Sequence, residues 1–164
     1  MAQVVLRLGN DVSTDIIYPG RFMATVLPSE TPQFAFADLP FNQKLNQQEI
    51  PFSSIIVADE NFGCGSSREQ AASALKGWEL IVIAKSFARI FFQNAINLGL
   101  RIMICPLIEA QEGDELILTQ DEILNVTTQK RFKIQPLPEA RKALLEGGGL
   151  IAYTRRLLLL ERKS

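Results

Sequence analysis

The sequence contains no histidine, and its only two cysteines are Cys64 and Cys105. Without histidine, the chain cannot form a Ser-His or Cys-His catalytic pair from its own residues. The two cysteines are well separated, so there is no Cys-x-x-Cys pair and no ligand cluster for zinc or an iron–sulfur centre. We therefore expect this chain to bind no metal, and any catalytic base to be another residue type or to come from a partner.

A large net charge and a long apolar run are also missing. The formal net charge is -1, which does not favour binding to nucleic acid. No apolar run approaches the ~20 residues of a membrane span, and the first residues lack the basic region and apolar core of a signal peptide. We expect a cytoplasmic protein with no nucleic-acid or membrane partner, and the length of 164 residues indicates one domain, 1–164.

Apolar, β-branched segments alternate with helix-like segments along the chain. Strands are predicted at residues 4–8, 52–58, 79–84 and 100–105, and helices at 67–76 and 86–98. Ser86 is placed to cap the second of these helices, and Gly99 is placed to end it. Short antiparallel strands are predicted at 115–119, 123–128 and 131–135, followed by C-terminal helices at 139–146 and 150–160. This order is typical of an α/β fold with a largely parallel central sheet and right-handed crossovers.

A long segment, residues 23–51, shows no regular pattern. It contains Pro28, Pro32, Pro40 and Pro51, scattered phenylalanines and a run of Asn and Gln. A loop-rich stretch of this length in a compact domain is often a lid or a binding loop. The alternative is an irregular excursion that covers the edge of the sheet.

A glycine-rich turn joins the predicted strand 52–58 to the helix that follows it. Residues 61–69 read Asn-Phe-Gly-Cys-Gly-Ser-Ser-Arg-Glu. The N–H groups at the start of a helix are unpaired and partly positive, which makes a site for an anion. Ser66 and Ser67 add hydroxyls there, and the planar guanidinium of Arg68 suits a carboxylate or a phosphate. The turn therefore predicts a site for an anionic small molecule, with a serine available for chemistry.

Each of these residues also has a purely structural interpretation. Ser66 and Glu69 fit a capping box, in which the Ser66 side chain accepts the backbone N–H of Glu69 and the Glu69 side chain accepts that of Ser66. Cys64 is either a nucleophile near a helix start or an inert small residue in a tight turn. Asp15 lies in a turn-forming stretch, 10–19, and Arg21 is typical of a solvated charge. A nucleotide-binding loop is a poor match, because no lysine follows the last glycine and Gly-x-Gly-x-x-Gly is not completed.

Residues 61–69 resemble the signature of the aconitase superfamily's swivelling domain, in particular the small subunits of 3-isopropylmalate dehydratases. Segments 11–22, 84–91 and 94–100 are also similar to that family, so the resemblance covers nearly the whole chain. It implies a three-layer α/β domain that is one half of a two-subunit hydro-lyase. Such an enzyme isomerises 2-isopropylmalate to 3-isopropylmalate in leucine biosynthesis by dehydration and rehydration. A large subunit would carry a four-iron four-sulfur cluster whose iron acts as Lewis acid on the departing hydroxyl.

The resemblance also implies roles for individual residues. Ser66 corresponds to the base whose alkoxide takes the proton next to a substrate carboxylate, and the helix start would stabilise that anion. Asp15 corresponds to an active-site aspartate that orients groups or relays a proton. The implied substrate-binding residues are Thr14, Arg21, Gly65, Ser67 and Arg68.

The chain departs from the family pattern at two places. Gln70 stands where the family usually has histidine, and the substrate-reading segment is Phe22, Met23, Ala24 and Thr25. Ala24 replaces an arginine that is typical of isopropylmalate enzymes. The same chemistry on homoaconitate, dimethylmalate or citramalate-type acids therefore stays open. So do a non-catalytic anion-binding module and a cysteine-dependent enzyme that uses Cys64.

Overall fold

The computed structural model describes residues 1–162, and seven strands form one sheet in the order β4-β3-β2-β1-β5-β6-β7. The strands are β1 (Ala2–Arg7), β2 (Ile55–Ala58), β3 (Ile81–Ala84), β4 (Arg101–Ile104), β5 (Glu115–Leu118), β6 (Glu122–Asn125) and β7 (Lys130–Lys133). β1 to β4 pair with one another in parallel. All residues of β2 and β3 are buried, which explains why these strands are continuously apolar rather than alternating. The predicted parallel core is confirmed.

The other three strands extend the sheet in antiparallel fashion from β1. β5 pairs with β1, β6 with β5 and β7 with β6. An isolated bridge between Ile104 and Gln135 then joins the chain after β7 to the far edge of the sheet. The sheet therefore curls back on itself, and side chains of β5 to β7 cover one face of the parallel strands.

Helices cover the opposite face. The α-helices are α1 (Thr14–Ile17), α2 (Phe41–Asn46), α3 (Glu69–Gly77), α4 (Arg89–Leu98), α5 (Glu139–Glu146) and α6 (Leu150–Glu161). α3 and α4 bury their apolar sides in one cluster with the parallel strands. Helices, parallel strands and antiparallel strands make three layers, so the α/β fold class is confirmed. Within residues 1–162, no helix combines the length and the apolar character that crossing a bilayer requires.

The predicted start of α4 is wrong, although its end is right. The helix begins at Arg89, and no side chain caps it. The hydroxyl of Ser86 instead accepts the N–H of Asn61 at 2.9 Å, so a bond to the neighbouring turn replaces the cap. Gly99 ends the helix with a φ of 74°, the left-handed conformation that glycine adopts without strain.

Residues 23–51 do not form one free loop. A short 3₁₀ helix, Thr31–Phe34, packs against α3, and the indole N–H of Trp78 donates to the carbonyl of Pro32 at 2.6 Å. Phe36 and Leu45 are fully or almost fully buried. This part of the segment therefore covers the helical layer rather than the edge of the sheet, while residues 23–30 lie mostly at the surface.

Candidate active site

The candidate site lies where the chain leaves β1 and β2 at their carboxyl ends. The two loops that follow are bonded to each other: the N–H of Thr14 donates to Cys64 at 2.8 Å, and that of Gly63 donates to Val12 at 2.7 Å. Both acceptors are backbone carbonyls. In α/β sheets, ligands bind outside the carboxyl ends of the parallel strands. The structure therefore brings the segment 11–22 after β1, called the first turn below, and the Gly-Ser-Ser-Arg turn to one place.

The turn between β2 and α3 needs glycine for two reasons. Gly63 and Gly65 have φ angles of 84° and 91°, a region that strains residues with a side chain. A Cβ on Gly63 would also lie 2.2 Å from Cγ of the buried Phe91. The turn is thus pressed against α4, which fixes where the following serines lie.

Ser66 is exposed, and Thr14 beneath it is buried. The Thr14 hydroxyl donates to the backbone carbonyl of Ser66 at 2.8 Å and lies 3.5 Å from its Oγ. Because 3.5 Å is long for a hydrogen bond between hydroxyls, the Ser66 hydroxyl is only weakly held. Thr14 therefore fixes the backbone of the turn and leaves the serine side chain available.

The predicted capping box is wrong. α3 begins at Glu69, its cap position is Arg68, and that side chain makes no capping bond. The carbonyl of Ser66 accepts the N–H of Arg68 at 2.9 Å, and this tight turn moves the helix start beyond Ser66. The first N–H groups of α3 are therefore open to an anion next to Ser66 and Ser67.

Arg68 is held in place by the first turn. Its Nη1 donates to Asp15 Oδ1 and, at 3.2 Å, to the carbonyl of Tyr18. The N–H of Gly20 donates to the same Asp15 oxygen at 3.0 Å. Arg68, followed by Gly20, lowers the pKa of the Asp15 carboxyl. Asp15 is therefore an anion near neutral pH, which suits a group that orients Arg68 better than one that relays a proton.

We expect the pKa of Asp15 to rise towards its ordinary value in Arg68→Gln, because the largest cause of its lowering is removed. The pKa of Asp15 is lower in the folded than in the unfolded state. The stabilisation from its ion pair is therefore fully present above the unfolded-state pKa, and it is lost as the pH falls through the folded-state pKa. An NMR titration of the Asp15 carboxyl measures this pKa in the wild type and in the variant. Arg21→Gln is the matched control, since Arg21 is the smallest of the causes that lower this pKa. Equal shifts in the two variants would contradict the assignment.

Arg21 forms its ion pair with a different carboxylate, that of Asp38. It forms a two-point pair with Asp38, with Nη1 3.0 Å from Oδ2, and its guanidinium stacks 4.5 Å from the ring centre of Phe22. The pair lowers the pKa of Asp38 and raises that of Arg21. The side chain is 54% exposed, and its charge also lowers the pKa of Asp15, so Arg21 lies near that carboxylate while it pairs with Asp38. Its role in substrate binding stays a prediction.

The segment 22–25 lies beside the start of α3. Phe22 stacks on Phe34 with ring centres 4.2 Å apart, while Met23 and Ala24 are exposed. Gln70 Nε2 donates to the carbonyl of Met23 at 3.4 Å. Gln70, at the position where the family usually has histidine, thus contacts the segment 22–25, a contact that the sequence did not predict.

A charged cluster at the strand ends was also missed. Asp59 Oδ1 accepts hydrogen bonds from Arg7 Nη2 and Lys85 Nζ, both at 2.8 Å. Lys85 and Arg7 lower the pKa of Asp59 against the opposing effect of its burial. Arg7 ends β1, Asp59 follows β2 and Lys85 follows β3. Their shared position at the ends of predicted parallel strands was the signal in the sequence that could have indicated this cluster.

Both cysteines are free, and Cys105 is part of the core. Its thiol donates to the carbonyl of Lys133 at 3.3 Å, and burial raises its pKa to about 11. Cys64 is half-buried in the turn. Among residues 1–162, no group of three or more cysteine or acidic side chains is arranged to hold a metal ion.

Comparison with known proteins gives consistent matches. The family model described as aconitase C-terminal domain matches residues 10–105. The chain is 42% identical to the 3-isopropylmalate dehydratase small subunit of Methanosarcina acetivorans, covering 93% of this chain and 94% of that protein. It is 45% identical to the isopropylmalate/citramalate isomerase small subunit of Methanocaldococcus jannaschii, covering 93% and 92%. The 2,3-dimethylmalate dehydratase small subunit of Eubacterium barkeri is 43% identical, covering 91% and 93%.

A solved structure has the same fold. It is the crystal structure of 3-isopropylmalate dehydratase from Methanocaldococcus jannaschii, with a TM-score of 0.87 and 38% sequence identity. The match covers 98% of this chain and 96% of that one.

Proposed function

The chain belongs to the aconitase C-terminal domain family, and on that premise we propose that it is the small subunit of an isopropylmalate-type hydro-lyase. The reaction is the isomerisation of 2-isopropylmalate to 3-isopropylmalate by loss and return of water, as in leucine biosynthesis. The relatives that carry this name, matched over nine-tenths of their length, support it. The observation that carries the proposal is the exposed Ser66 beside the uncapped start of α3 and the oriented Arg68.

Arg68 and the start of α3 bind a substrate carboxylate in this proposal. Asp15 and the carbonyl of Tyr18 occupy only Nη1 of the guanidinium. Within residues 1–162, Nε and Nη2 donate to no protein acceptor, so they are free for a two-point contact with a carboxylate. The exposed Ser67 hydroxyl and the first N–H groups of α3 complete the site for the anion.

Ser66 is the base that removes the proton from the carbon next to that carboxylate. A serine hydroxyl is a weak base, so its anion must be stabilised in the site. The open N–H groups and the positive end of α3 supply this stabilisation without any histidine. Asp15 keeps Arg68 in position, and Thr14 keeps the Ser66 backbone in position.

The remaining chemistry belongs to a large subunit. We place the four-iron four-sulfur cluster there, because residues 1–162 offer no ligand group for it. When bound, the cluster would polarise the departing hydroxyl of the substrate. We further propose that residues 1–164 are one swivelling domain. We also propose that it acts in the cytoplasm, because both cysteines are free and that compartment keeps thiols reduced.

A second candidate is the same reaction on a smaller hydroxy-dicarboxylate. Relatives named for citramalate and 2,3-dimethylmalate are as similar to this chain as those named only for isopropylmalate. The small, exposed side chain of Ala24 favours a substrate choice that differs from that of the arginine-containing enzymes.

Anaerobic assembly with a cluster-loaded large subunit tests the proposal. We expect the complex to form the unsaturated intermediate from 2-isopropylmalate or from one of citramalate, 2,3-dimethylmalate and homocitrate. The ultraviolet absorbance of that intermediate measures its formation. Either subunit alone should give no signal. A loaded complex that binds these acids but turns none of them over would support the non-catalytic module and overturn the proposal.

A further inference from the structure

Tyr18 is a fully buried residue that contacts both parts of the proposed site. Its hydroxyl donates to the carbonyl of Phe22 at 3.2 Å and lies 3.4 Å from the carbonyl of Thr25. These carbonyls stand at the two ends of the segment 22–25. Burial raises the pKa of the hydroxyl, so it stays protonated and remains a donor.

The backbone of the same residue holds the carboxylate anchor. The carbonyl of Tyr18 accepts from Arg68 Nη1 at 3.2 Å. The Tyr18 ring packs edge-on against Phe22 and Phe34, with ring centres 6.5 and 6.2 Å away. One residue therefore connects Arg68, which its backbone carbonyl binds, to the segment, which its side chain binds.

We propose that Tyr18 is a positioning residue that fixes the distance between Arg68 and the substrate-reading segment 22–25. The inference rests on the proposed function, which gives the substrate carboxylate to Arg68 and its side group to that segment. Discrimination between side groups that differ by one or two carbons requires both contacts to be held in one geometry. The Tyr18 hydroxyl supplies that constraint, because it bonds the carbonyls at both ends of the segment, while Met23 and Ala24 between them are exposed.

Tyr18→Phe tests this, because it removes the hydroxyl and keeps the ring. In the free small subunit, we expect the N–H of Thr25, which donates to Phe22 at 2.9 Å, to exchange with solvent about tenfold faster. In the assembled complex, the ratio of kcat/KM between the best acid and 2,3-dimethylmalate (or 2-isopropylmalate, if dimethylmalate is best) should fall by about the same factor. The change should appear in KM, with kcat for the best acid retained.

Tyr153→Phe is the matched control, since Tyr153 is the other tyrosine and lies on α6, away from the segment. It should change neither exchange nor selectivity. Unchanged Thr25 exchange in Tyr18→Phe overturns the inference, whether or not the complex is active. Faster exchange with unchanged selectivity in an active complex also overturns it. A wild-type complex that turns over no acid rejects the proposed function instead, and the exchange measurement then decides alone whether Tyr18 holds the segment.

Discussion

We expect the complex that contains Ser66→Ala to lose about 10²- to 10⁴-fold in kcat, with little change in KM. The substitution removes the proposed base and leaves Arg68, Ser67 and the start of α3 in place to bind the carboxylate. Ser66 is exposed, and within residues 1–162 its hydroxyl has only a long contact to Thr14, so we expect the fold to be retained. Steady-state ultraviolet assays measure the loss, and an unchanged melting temperature excludes unfolding as its cause.

The adjacent serine provides the matched control. Ser67 is also exposed, and it is assigned to substrate binding rather than to proton transfer. Ser67→Ala should therefore raise KM while kcat falls much less than in Ser66→Ala. The opposite ranking of the two variants would show that the base has been assigned to the wrong hydroxyl.

A cysteine-dependent enzyme predicts a different pattern. Its activity would be lost on alkylation of Cys64 and retained in Ser66→Ala. Cys64 is half-buried in the turn, and its carbonyl accepts the N–H of Thr14, which is a structural role. Cys64→Ser keeps the size and the backbone bond, and we expect it to retain activity.

The parallel core could be predicted because its signal is local. Runs such as 55–58 and 81–84 are apolar throughout, and strands buried on both faces need that composition. Helix starts failed at Ser66 and Ser86, although each has a good local capping signal. The backbone carbonyl of Ser66 accepts the N–H of Arg68 in a tight turn, and the hydroxyl of Ser86 accepts the N–H of Asn61 in the neighbouring turn. The Ser66 case matters most, because the missing cap leaves the anion site open.

Contacts between distant parts of the chain could not be read from the pattern. The resemblance suggested Asp15 and Arg68 separately, but not that they pair with each other. The contact of Gln70 with Met23 also joins distant residues. The contacts of Tyr18 with Phe22 and Thr25 are closer in sequence, but they too depend on the folded backbone. Local periodicity carries no information on such pairs, which is why the supports of the site appeared only in the structure.

We expect Gly63→Ala to lower the free energy of unfolding by about 2–5 kcal/mol, because two costs add. A left-handed φ costs a residue with a side chain about 1–2 kcal/mol. Overpacking a core costs about 1–3 kcal/mol more, and the new Cβ would lie 2.2 Å from Cγ of Phe91, which is nearly fully buried. Urea unfolding of the free small subunit measures the change.

Gly113→Ala separates these two costs. Gly113 has a φ of 96°, and nothing lies within 4 Å of the position its Cβ would take. This control should show only the backbone cost, about 1–2 kcal/mol. The excess in Gly63→Ala then measures how firmly Phe91 presses on the turn that carries Ser66. Equal losses in the two variants would mean that Phe91 moves aside freely. The placement of Ser66 would then depend on the backbone bonds of Gly63 and Thr14 alone, and not on packing against α4.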